Sequence, residues 1–212
     1  MRWNSTVSPI LLCMLLAACA HIRGVAPSGA PNEAAWQQRR ARLAQLKDWD
    51  MEGRVGVSNG RDGGSGTMSW TQQGDAFQFD FQGPFGAGAL SIHGVRGVLH
   101  IRSSRGDDFI SRDPERDFAR LLHVPLPVLS MRYWVTGSPA PDAAYDKRVD
   151  AQGRLVQLDQ YGWQVSYLTY AVFDGYDLPT RLVIERDKVR IKLAIETWQV
   201  VALPADARIA TP

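Results

Sequence analysis

Cysteine is nearly absent from this chain: two residues in 212, at positions 13 and 19. A disulfide framework is therefore excluded as the source of stability, and the fold must rest on a packed interior. Charge of one sign is lacking too. Lys and Arg number 24 against 22 Asp and Glu, so the basic excess that a nucleic-acid groove needs is missing and nucleic acid is excluded as a partner. No apolar run reaches the roughly 20 residues of a spanning helix. Catalytic signatures are scarce as well: neither H-E-x-x-H nor G-x-x-x-x-G-K-[ST] occurs. His21, His93, His100 and His123 fall in separate segments with no companion cysteine, and Asp107-Asp108 reads as a loop or strand-edge pair. The glycines between Gly60 and Gly66 are not followed by the helix of a phosphate loop. No metal, no other cofactor and no enzymatic activity are expected.

What is present begins at the amino terminus. Arg2 precedes a short apolar run, Ile10 to Leu16, which leads into Leu16-Ala17-Ala18-Cys19. Charge, short hydrophobic core, small residues and a boundary make a secretory signal over residues 1–18. The ending looks like a bacterial lipobox. That likeness implies cleavage before Cys19, a diacylglycerol thioether on its sulfur and acylation of the new amine. A soluble secreted chain with an accidental cysteine is the competing reading. Loss of residues 1–18 removes Cys13 and Arg2, which lowers the net charge from +2 to +1. Ala20 and His21 follow the cysteine, where many inner-membrane lipoproteins carry aspartate. The implied location is the periplasmic face of the outer membrane, anchored through Cys19 and not spanning.

Residues 19–31 hold Gly24, Pro27, Ser28, Gly29 and Pro31 and read as a tether. Asn32 and Glu33 then start a helix with Trp36, Leu43 and Leu46 on one face. Its cations, Arg39, Arg40, Arg42 and Lys47, suit either a solvated face or anionic lipid head groups. From Trp49 the period changes to two. Trp49, Met51, Val55 and Val57 alternate with polar residues, as do Met68 and Trp70, then Phe77, Phe79 and Phe81, then Leu90 and Ile92, then Leu99 and Ile101. Such runs separated by Gly- and Asn-rich turns form a meander of antiparallel hairpins. Asp113-Pro114-Glu115 opens a helix carrying Phe118, Leu121 and Leu122. A second short helix after Pro125 and Pro127 carries Leu129, Tyr133 and Trp134, and Gly137 closes it. Strand-like runs resume from Tyr145 to Ile195, with Trp198 out of phase, which a bulge or twisted edge would explain. The expected fold is mainly β with α: an incomplete antiparallel barrel of about ten strands, with helices capping or plugging an apolar cavity. One domain over residues 32–200 and a tail over 201–212 are expected.

Phe85 is odd on physical grounds. Gly83-Pro84-Phe85-Gly86 needs its glycines and proline to turn, but not a phenylalanine. The ring either folds back into the core or stands out as an apolar wedge for a membrane or a partner.

The lipobox, Trp36-Gln37-Gln38, Gly53-Arg54-Val55, Trp70-Thr71-Gln72-Gln73-Gly74, Gly83-Pro84-Phe85-Gly86, Leu126-Pro127, Trp134-Val135-Thr136-Gly137, Trp163-Gln164-Val165-Ser166-Tyr167 and Arg190-Ile191-Lys192-Leu193 occur in this order. Together they resemble the LolB family, within the LolA/LolB-like lipoprotein carriers, over nearly the whole mature chain. The resemblance implies a half-open barrel with a helical lid over an apolar hollow. It implies acceptance of lipidated proteins from the periplasmic chaperone LolA and their insertion into the outer membrane. Gly83, Pro84, Phe85 and Gly86 match the family's protruding loop, with Phe85 where leucine is familiar. Trp70, Phe79, Phe81, Trp134 and Trp163 are the candidates to shelter acyl chains, unless they simply fill a core. A monomer is expected. A lipid-anchored assembly or scaffold lipoprotein with a packed barrel, and an envelope hydrolase with an unrecognised site, are the other readings.

Overall fold

A computed structural model describes residues 24–84, 88–122, 125–141 and 143–200. Chain order is α1 (Glu33–Leu43), β1 (Asp48–Ser58), β2 (Gly63–Gln73), β3 (Ala76–Gln82), β4 (Ala89–Val95), β5 (Val98–Ser103), β6 (Asp108–Ser111), α2 (Pro114–Leu122), α3 (Val128–Trp134), β7 (Tyr145–Val149), β8 (Leu155–Gln160), β9 (Trp163–Phe173), β10 (Tyr176–Arg186) and β11 (Val189–Val200). Among the described residues no helix is long and apolar enough to cross a membrane.

The strands form one antiparallel sheet in the order β6-β5-β4-β3-β2-β1-β11-β10-β9-β8-β7. Two meanders, β1 to β6 and β7 to β11, are joined where the first strand pairs with the last, from Trp49 opposite Val200 to Ser58 opposite Arg190. β6 and β7 remain edges, so the barrel is incomplete. Alternation sets the inner face as expected: Trp49, Met51 and Val55 of β1 are buried, as are Met68 and Trp70 of β2. An aromatic chain crosses that face. Trp49 lies 5.2 Å from Trp198 and 5.7 Å from Trp70, centroid to centroid, and Trp70 lies 5.5 Å from Phe77.

The phase change at Trp198 is a bulge. Glu52 pairs with Thr197 but Gly53 with Ile195, so Glu196 is the extra residue. Ile191, Leu193 and Ile195 face inward, and after the bulge so does Trp198, whose Nε1 donates to the Pro179 carbonyl at 3.0 Å. Gly53 permits this close crossing, since a Cβ there would sit 2.2 Å from the Ala194 oxygen.

The Asn32 side chain caps α1 by accepting from Ala35 N at 3.0 Å. Trp36 and Leu43 are buried. The cations of α1 are largely spent on the protein itself. Arg39 lies 3.4 Å from Asp177 and stacks over Tyr170, Arg42 stacks over Tyr176, and Arg40 donates to the Tyr145 hydroxyl. Asp113 caps α2, accepting from Arg116 N at 3.3 Å, and Phe118 is fully buried. α3 follows Pro127 as expected; Val128, Met131 and Trp134 pack inward, and Leu129 is exposed.

The stretch expected as a tether is partly fastened. Val25 and Tyr170 exchange both backbone hydrogen bonds, at 2.6 and 2.8 Å. Ser28 N reaches Asp150 Oδ2 at 3.3 Å, and Asn32 N reaches the Asp150 carbonyl at 3.1 Å.

Candidate functional site

The interior is not uniformly filled. Under the first meander lies a hollow of about 510 Å³. One wall is Met51, Val55 and Val57 of β1, Met68 and Trp70 of β2, Phe79 and Phe81 of β3, and Leu90 and Ile92 of β4. Leu126 with Val128 and Met131 of α3 form the lid, and Ile191 and Leu193 of β11 complete the lining. Burial along β3 follows this shape. Phe77 is buried, whereas Phe79 and Phe81, on the same face, are half-buried where the packing gives way to the hollow. The closed end is tight, since a Cβ on Gly94 would stand 2.0 Å from the Phe77 ring.

The mouth is polar. Asn59 and Asp62 of the β1–β2 turn, Ser103, Ser104, Arg105 and Asp107 of the β5–β6 turn, and Gly83, Pro84 and Gly88 surround it. The Asn59 side chain fixes its turn by accepting from Arg61 N and Asp62 N at 3.0 and 2.8 Å. Gly83 N donates to the Gly88 carbonyl at 2.8 Å and closes the base of the loop between β3 and β4. Gly56-Val57-Ser58-Asn59-Gly60 has the spelling of a nucleophile elbow, but it closes a β-hairpin and no helix follows. The strained strand-to-helix turn that presents a nucleophile is not formed there.

Of the aromatic candidates, Trp70, Phe79 and Phe81 line the hollow. Trp134 and Trp163 do not, which corrects the expectation for both. They belong to the other half of the interior, where α3 lies directly on β8 and β9. Trp134 Nε1 donates to Gln160 Oε1 at 2.9 Å, and its carbonyl accepts from the Tyr167 hydroxyl at 2.9 Å. Trp163 is buried with the Arg186 guanidinium 4.6 Å above its ring. Tyr167 and Tyr170 are held neutral there: burial pushes both phenols well up, and each hydroxyl donates to a carbonyl. Gly83 and Pro84 lie on the rim, while Phe85, Gly86 and Cys19 fall outside the described residues.

Sequence reasoning missed the methionines Met51, Met68 and Met131 as lining residues. Their signal was available, because Met51 and Met68 share the alternation of Trp49 and Trp70. Flexible thioethers suit a wall that must fit variable contents. His93 and His100 stand opposite each other on β4 and β5, and His100 Nε2 lies 2.5 Å from Asp108 Oδ1. Among the described residues no cluster of three or more metal-type side chains forms.

Comparison with known proteins agrees with this architecture. The family model described as "Outer membrane lipoprotein LolB" matches residues 47–198. Outer-membrane lipoprotein LolB of Nitrosococcus oceani is 33% identical over 200 residues, spanning 94% of this chain and 99% of that protein. Outer-membrane lipoprotein LolB of Pseudomonas fluorescens is 36% identical over 187 residues, 87% of this chain and 91% of that protein. The crystal structure of a LolA superfamily protein from Nitrosomonas europaea superposes with a TM-score of 0.53 at 10% identity, covering 86% of this chain and 99% of that one. This last likeness is one of fold.

Proposed function

The chain belongs to the LolB family, and from that premise we propose that it is an outer-membrane lipoprotein that receives lipidated proteins from the periplasmic chaperone LolA and places them in the outer membrane. Anchorage is through Cys19 at the periplasmic face. The observation that carries this reading is the hollow of about 510 Å³ behind a polar mouth. A solid barrel would serve a scaffold; a walled, lidded apolar space serves an acyl chain.

The physics of such a carrier is a sequence of wells. Each methylene moved from water into apolar surroundings gains roughly 0.8 kcal/mol. Trp70, Phe79, Phe81 and the three methionines supply those surroundings. With no nucleotide driving the step, direction comes from affinity differences, each tenfold gain needing about 1.4 kcal/mol. The hollow must bind more weakly than the bilayer, and a half-lined, open space does so. The role is non-enzymatic and needs no cofactor.

A transfer assay tests this. A lipoprotein bound to LolA is mixed with the purified protein, and hand-over is followed by pull-down. Cargo moves to this protein on the expected outcome. Cargo that stays on LolA while the protein is folded overturns the reading.

A further inference from the structure

A second concavity lies at the other end of the sheet. It is a cleft of about 610 Å³ between α1, the β2–β3 turn and the residues that follow α3. Gly74 and Asp75 of the β2–β3 turn line it, whereas the β1–β2 turn, at the opposite end of β2, lines the mouth of the hollow. The two spaces share no lining residue. Trp49 lines the cleft and Trp70 the hollow, and their ring centroids are 5.7 Å apart. The cleft is thus a separate space, far from the route by which cargo enters.

Its lining is of two kinds. Leu43, Leu46, Trp49 and Pro139 are apolar. Arg40, Lys47 and Arg132 are cations, and Asp75 is the one carboxylate among the described lining residues. Asp75 lies 3.5 Å from Arg132 Nη1 but is 67% exposed, so water screens that pair. Arg40 donates to a neutral group, the Tyr145 hydroxyl, at 3.1 Å. Among the described residues neither Arg40 nor Lys47 forms an ion pair. Two polar atoms of lining residues, Arg132 Nε and Ser138 Oγ, are buried with no hydrogen-bond partner among the described residues. Folded proteins pair nearly all their buried polar atoms, so such exceptions mark places where a bound group is accommodated. Both atoms can donate, and a guanidinium bonds most strongly to an anionic oxygen. Positive charge beside an apolar wall therefore calls for a ligand that carries both an acid and a greasy part.

We propose that this cleft binds a small anionic amphiphile, with its phosphate or carboxylate head on Arg40, Lys47 and Arg132 and its aliphatic chain against Leu43, Leu46 and Trp49. The volume lies within the range of about 300–1,000 Å³ usual for small-molecule sites. An inorganic anion would satisfy the cations and leave the apolar wall uncovered; a neutral amphiphile would do the reverse. The test is a titration of octyl phosphate into the isotope-labelled mature chain carrying C19A, so that neither lipid nor detergent is present. Octyl glucoside and inorganic phosphate are titrated in parallel. Backbone amide shifts at Leu46, Lys47 and Ala140 report the cleft, and those at Met68 and Leu90 report the hollow. Octyl phosphate should shift the cleft amides saturably. Octyl glucoside and inorganic phosphate should each bind there about tenfold more weakly. Lys47 is exposed, so K47E keeps the fold, which the dispersion of the same spectrum verifies, and it should weaken octyl phosphate about fivefold. Shifts confined to the hollow overturn the proposal. So does octyl glucoside or inorganic phosphate matching octyl phosphate at the cleft, or K47E binding as tightly as wild type. The hollow is read separately in each spectrum, so failure at the cleft leaves the carrier reading where it stood.

Discussion

Trp70 and Phe79 meet edge-on across β2 and β3, with ring centroids 5.6 Å apart and planes at 79°. One side of Phe79 faces that indole, and the other faces the hollow. Truncating a phenylalanine in a packed core costs about 3–5 kcal/mol, part of it for the void left behind. Phe79 already borders a void, so Phe79→Ala forfeits the edge-on pair and fewer packing contacts, about 1–2 kcal/mol. Trp134→Ala opens a new cavity and removes one of the two donors to Gln160 Oε1, and it should cost about 4 kcal/mol. Urea unfolding of the two variants checks the order. Equal losses would mean that the wall at Phe79 is as solid as the half around Trp134.

Arg154 Nε lies 2.7 Å from Asp150 Oδ2, and the two side chains are 8% and 1% exposed. Asp150 also accepts from the backbone N–H groups of Ser28, Gln152 and Arg154. The carboxylate thus ties the amino-terminal segment to the β7–β8 turn, and the Asp150 backbone carbonyl adds Asn32 N at the start of α1. Arg154→Ala leaves that charge buried without its partner, at about 3–5 kcal/mol. For a domain of this size the melting temperature should fall by roughly 6–20 °C. A shift below 2 °C in calorimetry would show that the pair is dispensable.

Much of this was legible in advance because it is local. Asn32 and Asp113 announce their helices, and the period of two from Trp49 to Phe81 sets the inner face of three strands. The out-of-phase Trp198 signalled a bulge, found at Glu196. What stayed hidden depends on contacts far apart in sequence. Val25 meets Tyr170 across 145 positions, so a Gly- and Pro-containing stretch that reads as free tether is fastened. Trp70 and Trp134 are equally buried and equally apolar in the sequence, and only the placement of α3 separates the wall of a hollow from a filled core.

Acid stability should carry two opposed signatures. Burial, the larger effect, pushes the Asp177 carboxyl up, and Arg39 and Arg154 only partly offset it. Its folded pKa then exceeds its unfolded one. The resulting stabilisation is full below the unfolded value and fades as pH rises through the folded value. Glu33 is the reverse: hydrogen bonds from Lys147 and Gln37 hold its carboxyl down, so its contribution exists above the usual carboxylate range and is lost on acidification. Asp177→Asn should therefore gain stability relative to wild type as pH rises from about 3 to 6, and Glu33→Gln should lose it. Denaturation across that range tests both, and parallel curves for Asp177→Asn would refute the first.

Phe85 stands three residues past a strand whose last inward side chain, Phe81, lines the hollow, and three before Gly88, whose positive φ of 81° turns the chain back into β4. Gly83 and Pro84 lie on the rim, and the Gly83–Gly88 hydrogen bond fixes the loop base there. In the proposed function, the large apolar side chain of this loop takes part in passing an acyl chain from hollow to bilayer. Accepting cargo there depends on the residues that line the hollow, and releasing it depends on opening a path into lipid. Phe85→Glu places a charge where apolar contact with lipid is needed, at about 2–3 kcal/mol for a carboxylate near acyl chains. That predicts unchanged capture of a lipoprotein from LolA and a fall of 10-fold or more in its insertion into liposomes, by the conversion of 1.4 kcal/mol per decade. Phe85→Leu should insert as wild type, because it keeps the hydrophobicity. Capture and insertion falling together would place the ring in the wall instead, and insertion left intact by glutamate would remove the loop from the mechanism.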